Sequence, residues 1–170
     1  RPVEWTRMRC RALWAIGLAL AVSGASAQLK DLDPDWKESD LPEPPAFDVT
    51  RVIDLDMPRH MTVKLGVDPE TIRVTSDGLV RYVMVARSPG GTVNATYEGI
   101  RCLTAEVKVY ARYTANKTWV PVPDPNWMSL RHLQGSTHAL AFARQGACEG
   151  RSAVTSTPQA IVKKLKGNEI

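Results

Sequence analysis

The sequence predicts an α+β fold: an antiparallel β meander with short C-terminal helices packed on it and one disulfide. Three features predict it. Between residues 47 and 122, short alternating apolar runs are separated by tight-turn residues. Beyond residue 122 the pattern changes to proline-led helix starts, at Asp124-Pro125 and Thr157-Pro158. Cys102 and Cys148 are an isolated cysteine pair, one in the strand region and one in the helical region. Strands followed by helices, rather than alternating with them, read as α+β.

The strand region begins with the half-alternating run Phe47 to Asp54, which ends near Met57-Pro58. Residues 61–67 make a short strand or edge. Thr71 to Thr75 alternates, with Ile72 and Val74 on one face. Asp77-Gly78 then gives the strongest hairpin-turn signal in the chain. Leu79 to Ala86 is apolar on both faces, as a central strand requires. Ser88-Pro89-Gly90-Gly91 turns the chain. Thr92 to Glu98 places Val93, Ala95 and Tyr97 together. Strict alternation in 106–113 puts Val107, Val109, Ala111 and Tyr113 on one face, and Glu106, Lys108, Tyr110 and Arg112 on the other. Trp119 to Val122 reads as an edge strand, because Pro121 has no N–H to donate.

In the last third, Asp124-Pro125 predicts a short helix carrying Trp127, Leu130 and Leu133. Ser136 or Thr137 caps a second, with Leu140 and Phe142 inside and Gly146 ending it. A third follows Thr157-Pro158, with Ile161, Val162 and Leu165 as its stripe. Lys163, Lys164 and Lys166 suit the negative end of its dipole, and Gly167 stops it.

The domain is expected over 47–167, preceded by two other regions. Residues 1–27 read as a signal peptide. Met8 is a possible true start, Arg9 and Arg11 form a basic segment, and Ala12 to Val22 is an uncharged apolar run. As a helix that run is about 16 Å long, too short to span a bilayer. Ala25-Ser26-Ala27 then supplies a small-x-small cleavage pattern before Gln28. The whole chain carries 22 Lys+Arg against 18 Asp+Glu. Arg1, Arg7, Arg9, Arg11 and Glu4 fall in the leader, so the remainder is nearly neutral and nucleic acid is not an expected partner. Residues 28–46 read as an acidic, proline-rich arm. Their prolines favour an extended chain, and Trp36 is an aromatic with which it either docks on the domain or stays a solvated tether.

Export changes the reading of the cysteines. In an oxidising compartment an even, isolated pair defaults to a disulfide. Two separate buried thiols are the alternative, and a catalytic thiol is disfavoured by the absence of a C-x-x-C spacing.

At Tyr97-Glu98-Gly99-Ile100-Arg101-Cys102 the chain carries a distinctive run. With Trp36-Lys37-Glu38, Leu41-Pro42, Lys108-Val109-Tyr110, Trp119-Val120-Pro121, Trp127 and Cys148, it resembles the cryptic-neisserial-protein-like family over residues 35–165. That family comprises exported, largely proteobacterial proteins without an assigned activity. The resemblance implies an exported domain with its two cysteines paired, and transfers no catalytic residue.

The chemistry-bearing residues are sparse. His132 and His138 are six apart, not the spacing of a helical metal pair, so no metal site is expected. The chain has no G-x-S-x-G, P-loop or G-x-G-x-x-G, so no cofactor is expected either. Glu98 reads as a buried ion-pair partner of Arg101 or Arg81. Paired with Glu106, it would instead suit an envelope-acting hydrolase. Tyr110 and Arg112, expected to be exposed on one face, form with Trp119 a candidate recognition surface for a peptide, glycan or envelope protein, with core packing the alternative for each ring. The leading functional expectation is a noncatalytic periplasmic or secreted module that binds a partner or supports an envelope process, with no stable membrane span once the leader is cut.

Overall fold

The structure is a computed structural model and describes residues 34–131 and 137–167. The expected leader, residues 28–33 of the arm, and His132, Leu133 and Ser136 lie outside the described residues. In chain order the strands are β1 (Ile53–Asp54), β2 (Lys64–Val67), β3 (Arg73–Val74), β4 (Leu79–Arg87), β5 (Val93–Arg101), β6 (Glu106–Tyr113), β7 (Trp119–Pro121) and β8 (Met128–Ser129). Helix α1 (Thr137–Phe142) runs into a π-helical turn, Ala143–Ala147. A two-stranded ribbon, β9 (Cys148–Glu149) and β10 (Ser152–Ala153), leads to helix α2 (Pro158–Gly167).

The sheet is antiparallel throughout and is built on β4, β5 and β6. Leu79 to Val85 are all buried, which is why this run is apolar on both faces. Asp77-Gly78 makes the expected turn into β4, with Gly78 at φ +82°. The pairing of β4 with β5 runs unbroken from Leu79↔Arg101 to Arg87↔Val93. The outer edge of β4 is shared by β2 and β3, and that of β6 by β7 and β8. On one face Val80, Tyr82, Met84 and Ile100 pack with Phe142, Ile161 and Leu165 from the helical segment. On the other, Val83, Val85, Ala95, Tyr97, Tyr110 and Ala111 form a second, smaller cluster. These are called the helix face and the outer face below.

Strand β6 breaks the simple alternation. Tyr97 pairs with Ala111 and Glu98 with Val109, so Tyr110 is an extra residue on β6. Such a bulge sets two successive side chains toward one face. Tyr110 and Ala111 both join the outer-face cluster, and Arg112, opposite Thr96, turns to the helix face. The expectation that Tyr110 and Arg112 share an exposed face is therefore corrected: Tyr110 is buried and only Arg112 is exposed.

A second correction concerns Asp124-Pro125. No helix starts there. Asp124 has φ +45°, whereas an N-cap residue needs an extended backbone. Its carbonyl accepts from the Asn126 side chain, and Met128–Ser129 pairs with β6 as a strand. Helix α2 forms as expected, with Ile161 and Leu165 buried. Gly146 does not end its helix. A Cβ there would sit 2.9 Å from the Leu165 side chain, so glycine lets the π-helical turn and α2 approach closely. The Cys102–Cys148 disulfide, with Cα atoms 5.7 Å apart, ties the end of β5 to the segment following that turn.

Candidate functional site

The chemistry on the helix face centres on Glu98. Its side chain is fully buried on β5. Oε2 accepts from the Tyr82 hydroxyl at 2.7 Å, and Oε1 accepts from the Thr96 hydroxyl at 2.5 Å. His138 Nε2, from the first turn of α1, lies 2.9 Å from Oε1. Burial pushes the Glu98 carboxyl upward, but the His138 charge and the three hydrogen bonds outweigh it and hold it below the usual value. Burial likewise pushes His138 down, and Glu98 outweighs that, leaving the imidazole raised. Both shifts run in the direction that favours an imidazolium–carboxylate link, and the contact fastens α1 to the sheet. A small cavity of about 170 Å³ adjoins it, lined by Leu65, Met84, Ala86 and His138 among others. Tyr82, the third member, is raised well above its ordinary value by burial and by Glu98, so it stays a donor.

Glu98 is buried, but the pairing with Arg101 is corrected. Residues three apart on a strand point to opposite faces. Arg101 and Arg81 lie on the outer face, with Arg101 stacked 3.8 Å over the Trp36 ring. Glu106 pairs in register with Arg101 and shares that face, so Glu98 and Glu106 are separated by the sheet and do not form a carboxylate pair. Among the described residues no group of three or more His, Cys, Asp or Glu is arranged to hold a metal ion.

The outer face is covered by the arm. The Trp36 indole N–H donates to the Asp77 carbonyl at 2.8 Å, and its ring meets Trp127 edge-on at 5.9 Å. Glu38 binds the Lys108 ammonium and accepts from the Tyr110 hydroxyl at 2.6 Å. Burial, then Glu38, pushes the Tyr110 phenol far up. Arg81 donates to the carbonyls of Ser39 and Asp40 at 2.8 and 2.9 Å, and lies 3.8 Å from Glu38. The phenol end of Tyr110 approaches β5 closely because residue 99 is glycine: a Cβ there would come 2.5 Å from the phenol oxygen.

Where the arm leaves these contacts it forms one wall of a groove of about 370 Å³. Leu41, Glu43 and Pro44 face Trp119 and Pro121 of β7, over Tyr97, Tyr110 and Ala111. Leu41 is 47% exposed. Of the three residues expected to form a recognition surface, Trp119 lines this groove, Tyr110 is its buried floor, and Arg112 is on the opposite face. The alternation pattern missed the arm residues Leu41 and Pro44, and it missed His138 as the partner of Glu98. The Trp36-Lys37-Glu38 run was the available signal for the arm.

The sequence model of the CNP1-like family matches residues 31–166, the whole span of both faces and the arm over them. The chain belongs to the CNP1-like family. A relative within reach is cryptic neisserial protein 1 of Neisseria gonorrhoeae (strain ATCC 700825 / FA 1090), 30% identical over 115 residues. That match covers 61% of this chain and 56% of the relative, so the chain spans little more than half of the neisserial protein's length. No solved structure matches. No helix among the described residues of this CNP1-like chain is long and apolar enough to cross a membrane.

Proposed function

We propose that this CNP1-like protein is an exported, noncatalytic binding or accessory module of the bacterial envelope. Its site is the groove between the arm and β7, and its occupant is an extended polypeptide segment anchored by a proline or apolar side chain. The observation that carries this reading is the groove lining: Pro44, Pro121, Tyr97 and Trp119 are rigid, ring-bearing residues of the kind that dock extended peptides at low entropic cost. The groove also continues the surface on which the chain's own extended arm lies. Export is supported by the N-terminal apolar run and Ala25-Ser26-Ala27, and by a disulfide suited to an oxidising compartment.

A random peptide library displayed on phage, panned against the folded protein, tests the site. Enriched peptides are expected to lose binding with Trp119→Ala and with Leu41→Asp, and to keep it with Lys163→Ala on α2. Enrichment that ignores Trp119→Ala, or none at all, refutes the groove. Recovery of mature protein beginning at Gln28 from the periplasm tests the compartment, and retention of an intact N-terminus in the cytosol refutes it.

A further inference from the structure

The outer face carries more cationic machinery than a solvent-facing sheet ordinarily holds. Arg81 and Arg101 are 2% and 5% exposed, and the Lys108 side chain 13%. Charged side chains are rarely buried unless something pairs with them. Here the covering element is the arm, held largely by side chains. Between Trp36 and Asp40 its described contacts to the sheet are ring, ion-pair and side-chain hydrogen bonds; none is a strand ladder. Trp36 sits between the Arg101 guanidinium and Trp127, and Lys108 lies 4.6 Å from the Trp127 ring centre. Glu38 enters beside Lys108, Tyr110 and Arg81. The face therefore reads one chemistry: an extended segment with a tryptophan and, two residues on, a carboxylate.

The arm does not saturate that face. Arg81 spends its terminal nitrogens chiefly on backbone carbonyls, which any sequence offers, and Glu38 stays 3.8 Å away. Its Nε is buried with no hydrogen-bond partner among the described residues. A guanidinium fork is best met by a carboxylate engaging two nitrogens at once.

We propose that this cationic–aromatic face, formed by Arg81, Arg101, Lys108, Tyr110 and Trp127, is a second binding site. Its ligand is an acidic, tryptophan-bearing extended segment of a partner protein, and the arm is its exchangeable resident. A partner carboxylate that forks onto Arg81 has an interaction the arm lacks, which favours exchange. The site adjoins the groove and shares Tyr110 with it, but Trp119 and Leu41 take no part in it.

The test uses a fluorescent synthetic peptide spanning residues 34–40, which stops short of the groove wall, as the probe, with the full-length protein as receptor. A tethered arm competes at an effective concentration of about millimolar, so the free peptide is expected to bind the Glu38→Gln protein about tenfold tighter than the wild type, and Trp36→Ala similarly. Adding Lys108→Ala to the Glu38→Gln protein is expected to abolish binding, and Trp119→Ala to leave it unchanged. Circular dichroism and thiol titration establish that each variant keeps its sheet and disulfide. No binding to either folded weakened-arm protein, or binding indifferent to Lys108→Ala, overturns the proposal. A concentration-dependent wild-type dimer that the peptide disperses overturns the partner-protein assignment in favour of a second copy's arm. Failure of Trp119→Ala in the phage screen bears on the groove alone.

Discussion

Replacing His138 by alanine removes the cation from the buried Glu98 network. Breaking one side of a buried ion pair costs about 3–5 kcal/mol when the remaining charge is left uncompensated. Glu98 retains hydrogen bonds from Tyr82 and Thr96. The His138 side chain is 23% exposed, so water reaches the vacated position. Those two facts reduce the expected loss to about 2–3 kcal/mol, or about 5–10 °C in melting temperature for a domain of this size. The loss must also depend on pH. His138 is raised in the fold, so its contribution is complete below its ordinary 6.5 and fades as pH climbs through the folded value. Glu98 is lowered, so its contribution is complete above its ordinary 4.5 and fades as pH falls through its folded value. The deficit of His138→Ala is therefore largest between these limits and shrinks at alkaline pH. Arg112, which opposes the imidazolium, trims the effect without changing its sign. Thermal melts of the oxidised protein and variant from pH 5 to 9 measure it. A deficit that is constant across that range refutes the imidazolium–carboxylate link.

Three further outcomes follow from particular contacts. Replacing Cys102 and Cys148 together by alanine opens a loop of 46 residues and is expected to lower stability by about 4 kcal/mol in the chain-entropy limit, measured by urea unfolding. Gly99→Ala forces the Tyr110 ring off β5 and is expected to cost about 1–3 kcal/mol, with a red shift in tryptophan emission as Trp36 loosens. Asp68 is fully buried and accepts from the Arg51 guanidinium and from the Asp48 and Glu70 amides. Asp68→Asn is expected to cost about 2 kcal/mol, since the amide cannot satisfy all of these donors. Equal stability of wild type and variant in a denaturant titration would discount that carboxylate as a structural tie.

The parts of the fold legible in the sequence are those set by local periodicity. Leu79 to Val85 declares itself a central strand because both of its faces are apolar and both are covered. Pro158 and Gly167 bracket α2 because a helix start tolerates a proline and a helix end favours glycine. The illegible parts each have a physical cause. One inserted residue at Tyr110 leaves composition untouched, yet it reverses the facing of Arg112 and Tyr113, and takes Arg112 out of the expected recognition surface. Asp124-Pro125 serves a turn as well as a helix start, and pairing with β6 decided between them. Glu98 was readable as buried, but its partner lies 40 residues away on another element, beyond the reach of any spacing rule.

The arm's placement sets an order of assembly. Trp36 and Glu38 leave the ribosome or a translocation channel ahead of the groups that hold them: the Asp77 carbonyl, then the side chains of Arg101, Lys108, Tyr110 and finally Trp127. A nascent chain therefore carries an acidic, indole-bearing segment whose full set of contacts is absent until Trp127 has followed. Its docking closes the outer face only after the β4–β5–β6 meander exists, so during that interval three cations and the Tyr110 ring face solvent.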